Sequence, residues 1–484
     1  MEKVRRPAED HDKRCAVDCV TQWKVMTNNQ LRSLPVDDYR RTMRLRPLDR
    51  EILALALPAF GALIAEPLFL MADSAIVGHL GTAQLAGLGV SAALLATLVN
   101  VFVFLAYATT AAVARRIGSG DRQAALKQGV DGIWLALLIS VLVVATAIPI
   151  APTVVRLFGA SSTAAPYAVD YLRISSAGIP AMLIVLAATG VLRGLQDTRT
   201  PLVVAVAGFS ANLLLNLTLV YGAGLGIAGS ALGTVIAQWG MAAAYLTVVL
   251  RGIRVNHSGP GSWWTGLRPD VPGIRASATA GVPLLVRTLS LRAILLLATA
   301  VAARLGNTSI AAHQIAMSLW SFLAFALDAI AIAGQALIGR ALGGGDAAGA
   351  RVATRRMVEW GAGAGVVLGA LLIVAQPLYL PLFTSDPAVQ RQLLPVLVVA
   401  GLMQPVNGVV FVLDGVLMGA GDGPYLAWAM LATLLLYAPV ALLMGAQGLT
   451  GLWIAIGFAM VVRAVSMALR ARTGAWLVTG AVRA

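Results

Sequence analysis

Charge is scarce in this 484-residue chain: Asp, Glu, Lys and Arg make up 12% of it, against 58% hydrophobic residues. With a mean hydropathy of +0.81, polar side chains cannot cover the apolar ones, which excludes an ordinary soluble globular protein. Four residues are lysine, and none stands in a G-x4-GK context, which excludes a P-loop ATPase. The four histidines, His11, His79, His257 and His313, are scattered, so no cluster is available for a membrane-embedded enzyme. The two cysteines, Cys15 and Cys19, are four apart without histidine partners and read as reduced thiols, not a metal site. The sequence therefore predicts no enzyme, no metal and no cofactor.

What the chain has in abundance is apolar runs long enough to cross a hydrocarbon core about 30 Å thick. Six lie near 52–74, 85–114, 132–151, 166–190, 201–221 and 227–250, and six more near 276–302, 310–339, 357–380, 393–417, 424–444 and 449–469. The two sets repeat each other. Pro58 returns as Pro283, Leu80-Gly81 as Leu305-Gly306, and Arg115, Gly118 and Asp121 as Arg340, Gly343 and Asp346, each 225 residues later. Phe158 and Phe383, Pro180 and Pro405, and VLRGLQD (191–197) and VLMGAGD (416–422) keep that register, which slips by three where Gly226 and Gly229 match Gly448 and Gly451. A duplicated six-span module follows, and an even number of spans gives both halves one orientation, with the pseudo-twofold axis along the membrane normal. The expected fold is an all-α membrane protein of twelve transmembrane helices in two six-helix bundles.

Net charge is +14, and topology accounts for it without nucleic acid. Residues 115–127, 193–199, 251–275 and 340–356 carry fourteen basic residues, whereas the alternate loops offer Arg156, Arg304 and Arg391. The positive-inside rule then puts both termini in the cytoplasm of a cell-membrane protein. The chain divides into a tail at 1–47, bundles at 48–251 and 276–470 joined by a linker at 252–275, and a C-terminal tail at 471–484. Residues 1–50, with twelve Lys/Arg and eight Asp/Glu, are expected to be mostly disordered. Met43 reads as a natural start just before the first span.

An acid at the centre of a membrane helix costs roughly 2.5–3.5 kcal/mol, so intramembrane carboxylates are functional candidates. Glu66 and Asp73 are two helical turns apart on one face of the first span, with Pro67 between them as a possible bend. A carboxylate in a low-dielectric cavity can take up a proton or, when ionised, attract a cation, and one site serving both in turn is the simplest antiport device. Asn212 and Asn216, four apart in the fifth span, could line the cavity of Asp73 or merely bridge helices. Their positions in the second half are Leu291, Ala298, Tyr437 and Ala441, so the scaffold is repeated but the polar set is not, and the ion chemistry is assigned to the N-terminal half. In the second half, Arg287 and Asp328 fall at equal depth on adjacent antiparallel helices and are expected to pair; Gln314, Gln404 and Asn407 join them as candidates for the substrate cavity or gating. Arg292, Asp170, Arg173, Glu359 and Asp414 lie nearer span ends and read as interfacial. GSGD (118–121), GGGD (343–346) and RGLQDTRTP (193–201) read as tight turns that end one helix and begin the next.

The pattern P-x7-EP-x5-D-x4-GHLG (58–81), with YLRI-x5-P (171–180), VLRGLQDTRTP (191–201), AAHQIA (311–316) and LDGVLMGAGD (413–422), resembles the multidrug and toxic compound extrusion (MATE) family, and within it the DinF-type branch. The resemblance spans about residues 48 to 470. It implies a twelve-helix protein of two bundles around a cleft, exporting organic cations or other xenobiotics in exchange for protons or sodium. Asp73 then matches the family's first-helix acid at the cation-coupling site, and Asn212 the fifth-helix amide beside it. Asn216 departs from the archaeal pattern, which has an aspartate there; this favours direct competition of proton and substrate at Asp73 over sodium. The acidic pair that other branches use in the C-terminal half has no clear match, Asp328 being the nearest. The expected partners are a small-molecule substrate and the lipid bilayer, with the chain acting as a monomer. A lipid-linked precursor flippase of the same superfamily would need a strongly cationic cleft, for which Arg287 and Arg292 are the available residues. A channel passes the same compositional tests and differs in being unable to concentrate a substrate uphill.

Overall fold

The computed structural model describes residues 47–256 and 263–482. The expectations for the N-terminal tail, Cys15, Cys19 and Met43 fall outside the described residues, as does His257. Every regular element among those residues is helical. In the first half these are α1 (Pro47–Gly78), α2 (Thr82–Phe102), α3 (Phe104–Gly118), α4 (Arg122–Leu157), α5 (Ala165–Ser176), α6 (Ile179–Gly194), α7 (Arg199–Leu217), which ends in a π-helical turn (Thr218–Gly222), and α8 (Gly226–Asn256). A short α9 (Trp263–Leu267) leads to the second half: α10 (Val271–Arg304), α11 (Asn307–Gly343), α12 (Ala347–Val374), α13 (Gln376–Phe383), α14 (Pro387–Leu402), α15 (Gln404–Gly419), α16 (Gly423–Gly445) and α17 (Leu449–Thr473).

Ten helical stretches are long and apolar enough to cross a membrane, α2 and α3 together forming one of them, and two bent pairs complete twelve spans. Those pairs are α5–α6, bent by 54°, and α14–α15, bent by 49°. Each is one apolar run in the sequence, near 166–190 and 393–417. The breaks fall just before Pro180 and Pro405, which are the second residues of α6 and α15. A proline there has no N–H for the preceding turn and disfavours a helical residue before it, so the chain restarts at an angle.

The repeated loops work as repeated caps. Gly120 and Gly345 take left-handed φ angles of 83° and 82°. Asp121 and Asp346 follow as N-caps, accepting hydrogen bonds from the amides of Ala124 at 2.8 Å and Gly349 at 2.7 Å. Helix contacts repeat as well. A Cβ at Gly190 of α6 would stand 2.5 Å from the Ala106 carbonyl oxygen of α3, and one at Gly415 of α15 would stand 2.3 Å from that of Ala331 in α11. Lipid tails are as apolar as leucine, so close approach at small residues is what holds such helices together.

The bundles meet at their arginine-rich ends. The terminal turns of α3 and α11 touch backbone to backbone: a Cβ at Gly118 would fall 1.9 Å from the Arg340 oxygen, and one at Gly343 would fall 1.9 Å from that of Arg115. Beside this seam, Gln335 Nε2 donates to the Tyr107 carbonyl at 2.7 Å and Gln128 Nε2 to Ser277 Oγ at 2.8 Å.

Candidate functional site

Asp73 lies in the last two turns of α1 and is 4% exposed. Two neutral groups hold it: Asn216 Nδ2, near the end of α7, and Ser230 Oγ of α8 each donate to Oδ1 at 2.7 Å. The backbone makes this approach possible. A side chain at Gly233 would place its Cβ 2.1 Å from Asn216 Oδ1, so only glycine leaves the amide its room. The π-helical turn after α7 aims Tyr221 back at α1, where its hydroxyl donates to the Ile76 carbonyl at 2.6 Å; single π turns often re-aim side chains at sites of this kind. Val77, Leu88, Tyr171, Ile227 and Ala231 form an apolar cluster beside the acid.

Asn212 does not touch Asp73. Its Nδ2 donates instead to Thr234 Oγ1 at 3.1 Å, one turn along α8 from Ser230. The side-chain oxygens of Asn212 and Asn216 are both buried and accept no hydrogen bond. Asp73 is thus bonded by one of two buried amides on α7, and both amide oxygens are left without a donor. No group of three or more His, Cys, Asp or Glu side chains suited to a transition metal occurs among the described residues.

Glu66 stands apart from this pocket, seven residues or about 10 Å along the helix axis. It is exposed and has no hydrogen-bond partner among the described residues. Between the two acids, Phe69 stacks on Phe209 of α7 at 5.1 Å. Pro67 lies inside α1, which continues through it, leaving the Leu63 carbonyl without its helical donor.

In the second half, the expected pair of Arg287 with Asp328 is replaced by another. Arg287 Nε donates to Asp414 Oδ1 at 3.1 Å, and its Nη2 bonds Oδ2. Arg463 of α17 reaches the same Oδ2 at 3.2 Å. Asp414 is 3% exposed, not interfacial. Depth along two helices matched Arg287 to Asp328, but the face of α10 that carries Arg287 turns toward α15. Asp328 is half-buried, unbonded, and in the field of Arg193 and Arg287. Tyr107 of α3 presents its ring to Arg287 at 5.9 Å. Among the other candidates, Gln404 and Asn407 are each 1% exposed, packed where α15 meets α12, and Gln314 is exposed.

Ser230, Thr234 and Arg463 were missed. No motif marks the hydroxyls, whose partners are brought together by tertiary packing alone, and Arg463 sits near a span end, where an arginine normally reaches out to water.

Comparison with known proteins matches the repeat and the fold. The MatE family profile fits residues 58–218 and again residues 283–443, in the same 225-residue register as the internal repeat. "Protein DETOXIFICATION 44, chloroplastic" of Arabidopsis thaliana is 32% identical, covering 96% of this chain and 91% of its own. The "DNA damage-inducible protein F" of Escherichia coli (strain K12) is 28% identical, covering 87% and 91%. Among solved structures, "MATE in the bent conformation" superposes with a TM-score of 0.81 at 21% identity over 88% of this chain and 95% of that one. The duplicated six-span module, the two-bundle fold and these matches together place the chain in the MatE family, the multidrug efflux (MATE) transporters of the membrane, whose work is transport and not catalysis.

Proposed function

We propose that the protein is a secondary antiporter that exports organic cations from the cytoplasm in exchange for protons, by alternating access, from a cell membrane in which both termini are cytoplasmic. One observation carries this reading. The buried carboxylates Asp131, Asp414 and Asp422 each bond a lysine or arginine, whereas Asp73 is held by an amide and a hydroxyl alone. Its negative charge is left uncompensated, which is the condition for a proton or a cation to compete for it.

The same neighbours serve both protonation states. Ionised Asp73 accepts from Asn216 and Ser230. Once protonated it must donate one hydrogen bond, and a hydroxyl can turn to accept it, as can the unpartnered Asn216 oxygen. Protonation therefore removes the charge without leaving a buried polar group unmet. The charge-assisted part of the hold on the end of α1 is lost with the charge, and Pro67, below it, is the weak point at which that helix can respond. Position 216 holds an amide, so the pocket carries one negative charge and is matched to one positive charge at a time. Sodium is the less favoured coupling ion, and the unpartnered oxygens of Asn212 and Asn216 are the feature that supports it.

The test is uphill efflux of ethidium from reconstituted vesicles under a pH or a sodium gradient, imposed separately. Proton-driven efflux in the wild type that is lost in Asp73→Asn is the expected result. Undiminished pH-driven efflux in that variant refutes the assignment of Asp73. No transport under either gradient moves the substrate away from organic cations and toward the flippase reading.

A further inference from the structure

The seam between the bundles is held by two arginines related by the internal repeat. Arg340 of α11 reaches into the first half, where its Nη1 donates to Gln196 Oε1 at 2.5 Å. Gln196 has φ 64°, the one non-glycine with positive φ among the described residues, and its repeat mate is Gly421 at φ 71°. A glutamine kept where the repeat uses glycine is backbone strain retained for a side chain's contact.

Arg115 of α3 makes the mirrored reach. It is 3% exposed. Its Nη1 donates to the Ala420 carbonyl at 3.0 Å, matching the grip of Arg340. Its Nη2 and Nε donate to the carbonyls of Val478 at 2.6 Å and Gly480 at 3.2 Å. Those two belong to the segment after α17. Gly474, at φ 70°, ends that helix and turns the chain back. Trp476 then anchors it, 1% exposed, with Nε1 donating to the Ala471 carbonyl at 2.9 Å. Further on, the Gly480 amide donates to the Leu342 carbonyl at the end of α11. A segment of the second bundle thus crosses the seam and grips an arginine of the first.

We propose that residues 474–482 are a strap that locks the arginine-rich face of the transporter shut by holding Arg115. This rests on the alternating-access reading above. The physical argument is the cost of a buried guanidinium. In the closed seam, backbone carbonyls stand in for water around Arg115, and the strap supplies those of Val478 and Gly480. Without the strap the closed state loses two acceptors from around a buried cation, whereas a parted seam hydrates it, so the equilibrium moves toward parting. The strap is part of the second bundle, so separation of the bundles at this face must break its grip.

The experiment reads bundle separation directly. Spin labels are placed at the exposed positions Arg122 and Ala348, one on each bundle, after replacing Cys15 and Cys19 by serine. Distances are then measured by double electron–electron resonance in lipid nanodiscs. The full chain should show mainly the short distance. Truncation after Thr473, Trp476→Ala and Arg115→Ala should each raise the ratio of long to short distances by about tenfold, the shift expected when charge-assisted hydrogen bonds of one state are lost. The two point variants keep the test decisive if the truncated chain fails to fold. Distance distributions equal to those of the full chain in the variants that fold overturn the strap. Because the readout is separation and not transport, failure of proton coupling would leave this outcome intact and recognisable.

Discussion

Asp414 is the residue on which the interior of the second bundle depends, since two buried arginines share its carboxylate. Removing one partner of a buried ion pair leaves an uncompensated charge and costs roughly 3–5 kcal/mol. Asp414→Asn should therefore lower the Tm in detergent sharply, while Asp328→Asn, which breaks no hydrogen bond, should shift it little. Equal shifts for the two would remove Asp414 from this role. The acid of the first bundle calls for the opposite pattern: Asp73 is held by neutral groups, so Asp73→Asn should fold well and fail in coupling. These residues differ in how far they could be read from sequence. Asp73 was legible because an acid in an apolar run has few explanations. The partners of Arg287 were not, because counting along a helix fixes depth but not azimuth, and azimuth decides whether the side chain faces α11 or α15. Asn212 and Asn216 were placed beside Asp73 together, and the structure gives only Asn216 that contact.

At the level of elements, glycines at repeated positions set how closely helices approach. Gly415→Ala should destabilise the protein by about 1–3 kcal/mol, since its new Cβ has the Ala331 carbonyl oxygen 2.3 Å away. Gly363→Ala, on the same kind of helix with nothing within 4 Å of the new atom, should be neutral or slightly stabilising. Thermal unfolding of the two variants in one detergent makes the comparison; similar losses would mean that the contact at Gly415 yields easily. The spans and their duplication were legible because apolar length and register survive in one sequence. The bends before Pro180 and Pro405 were present as prolines but not as angles, since a proline near a span's middle can kink, end or merely start a helix. The turns at 118–121 and 343–346 were read as simple caps, which they are; that Gly118 and Gly343 also face each other across the two bundles is a tertiary fact that no local pattern carries.

For the whole molecule, the two halves share a frame and divide the labour. The first bundle holds a carboxylate among neutral donors, and the second answers with an ion-paired Arg287–Asp414–Arg463 cluster and with the segment that closes the seam. Such asymmetry on a symmetric frame suits a rocking pair: the repeat supplies two matched rigid bodies, and the unmatched residues supply the ligand and the lock. The claim at the centre is that one charge at Asp73 is exchanged between a proton and a cationic substrate. Proton release measured with a pH-sensitive dye, when ethidium is added to proteoliposomes with no pH gradient imposed, tests it most directly. Proton counterflow should track ethidium movement in the wild type and vanish in Asp73→Asn. Ethidium movement without protons, or counterflow undiminished in that variant, would contradict it.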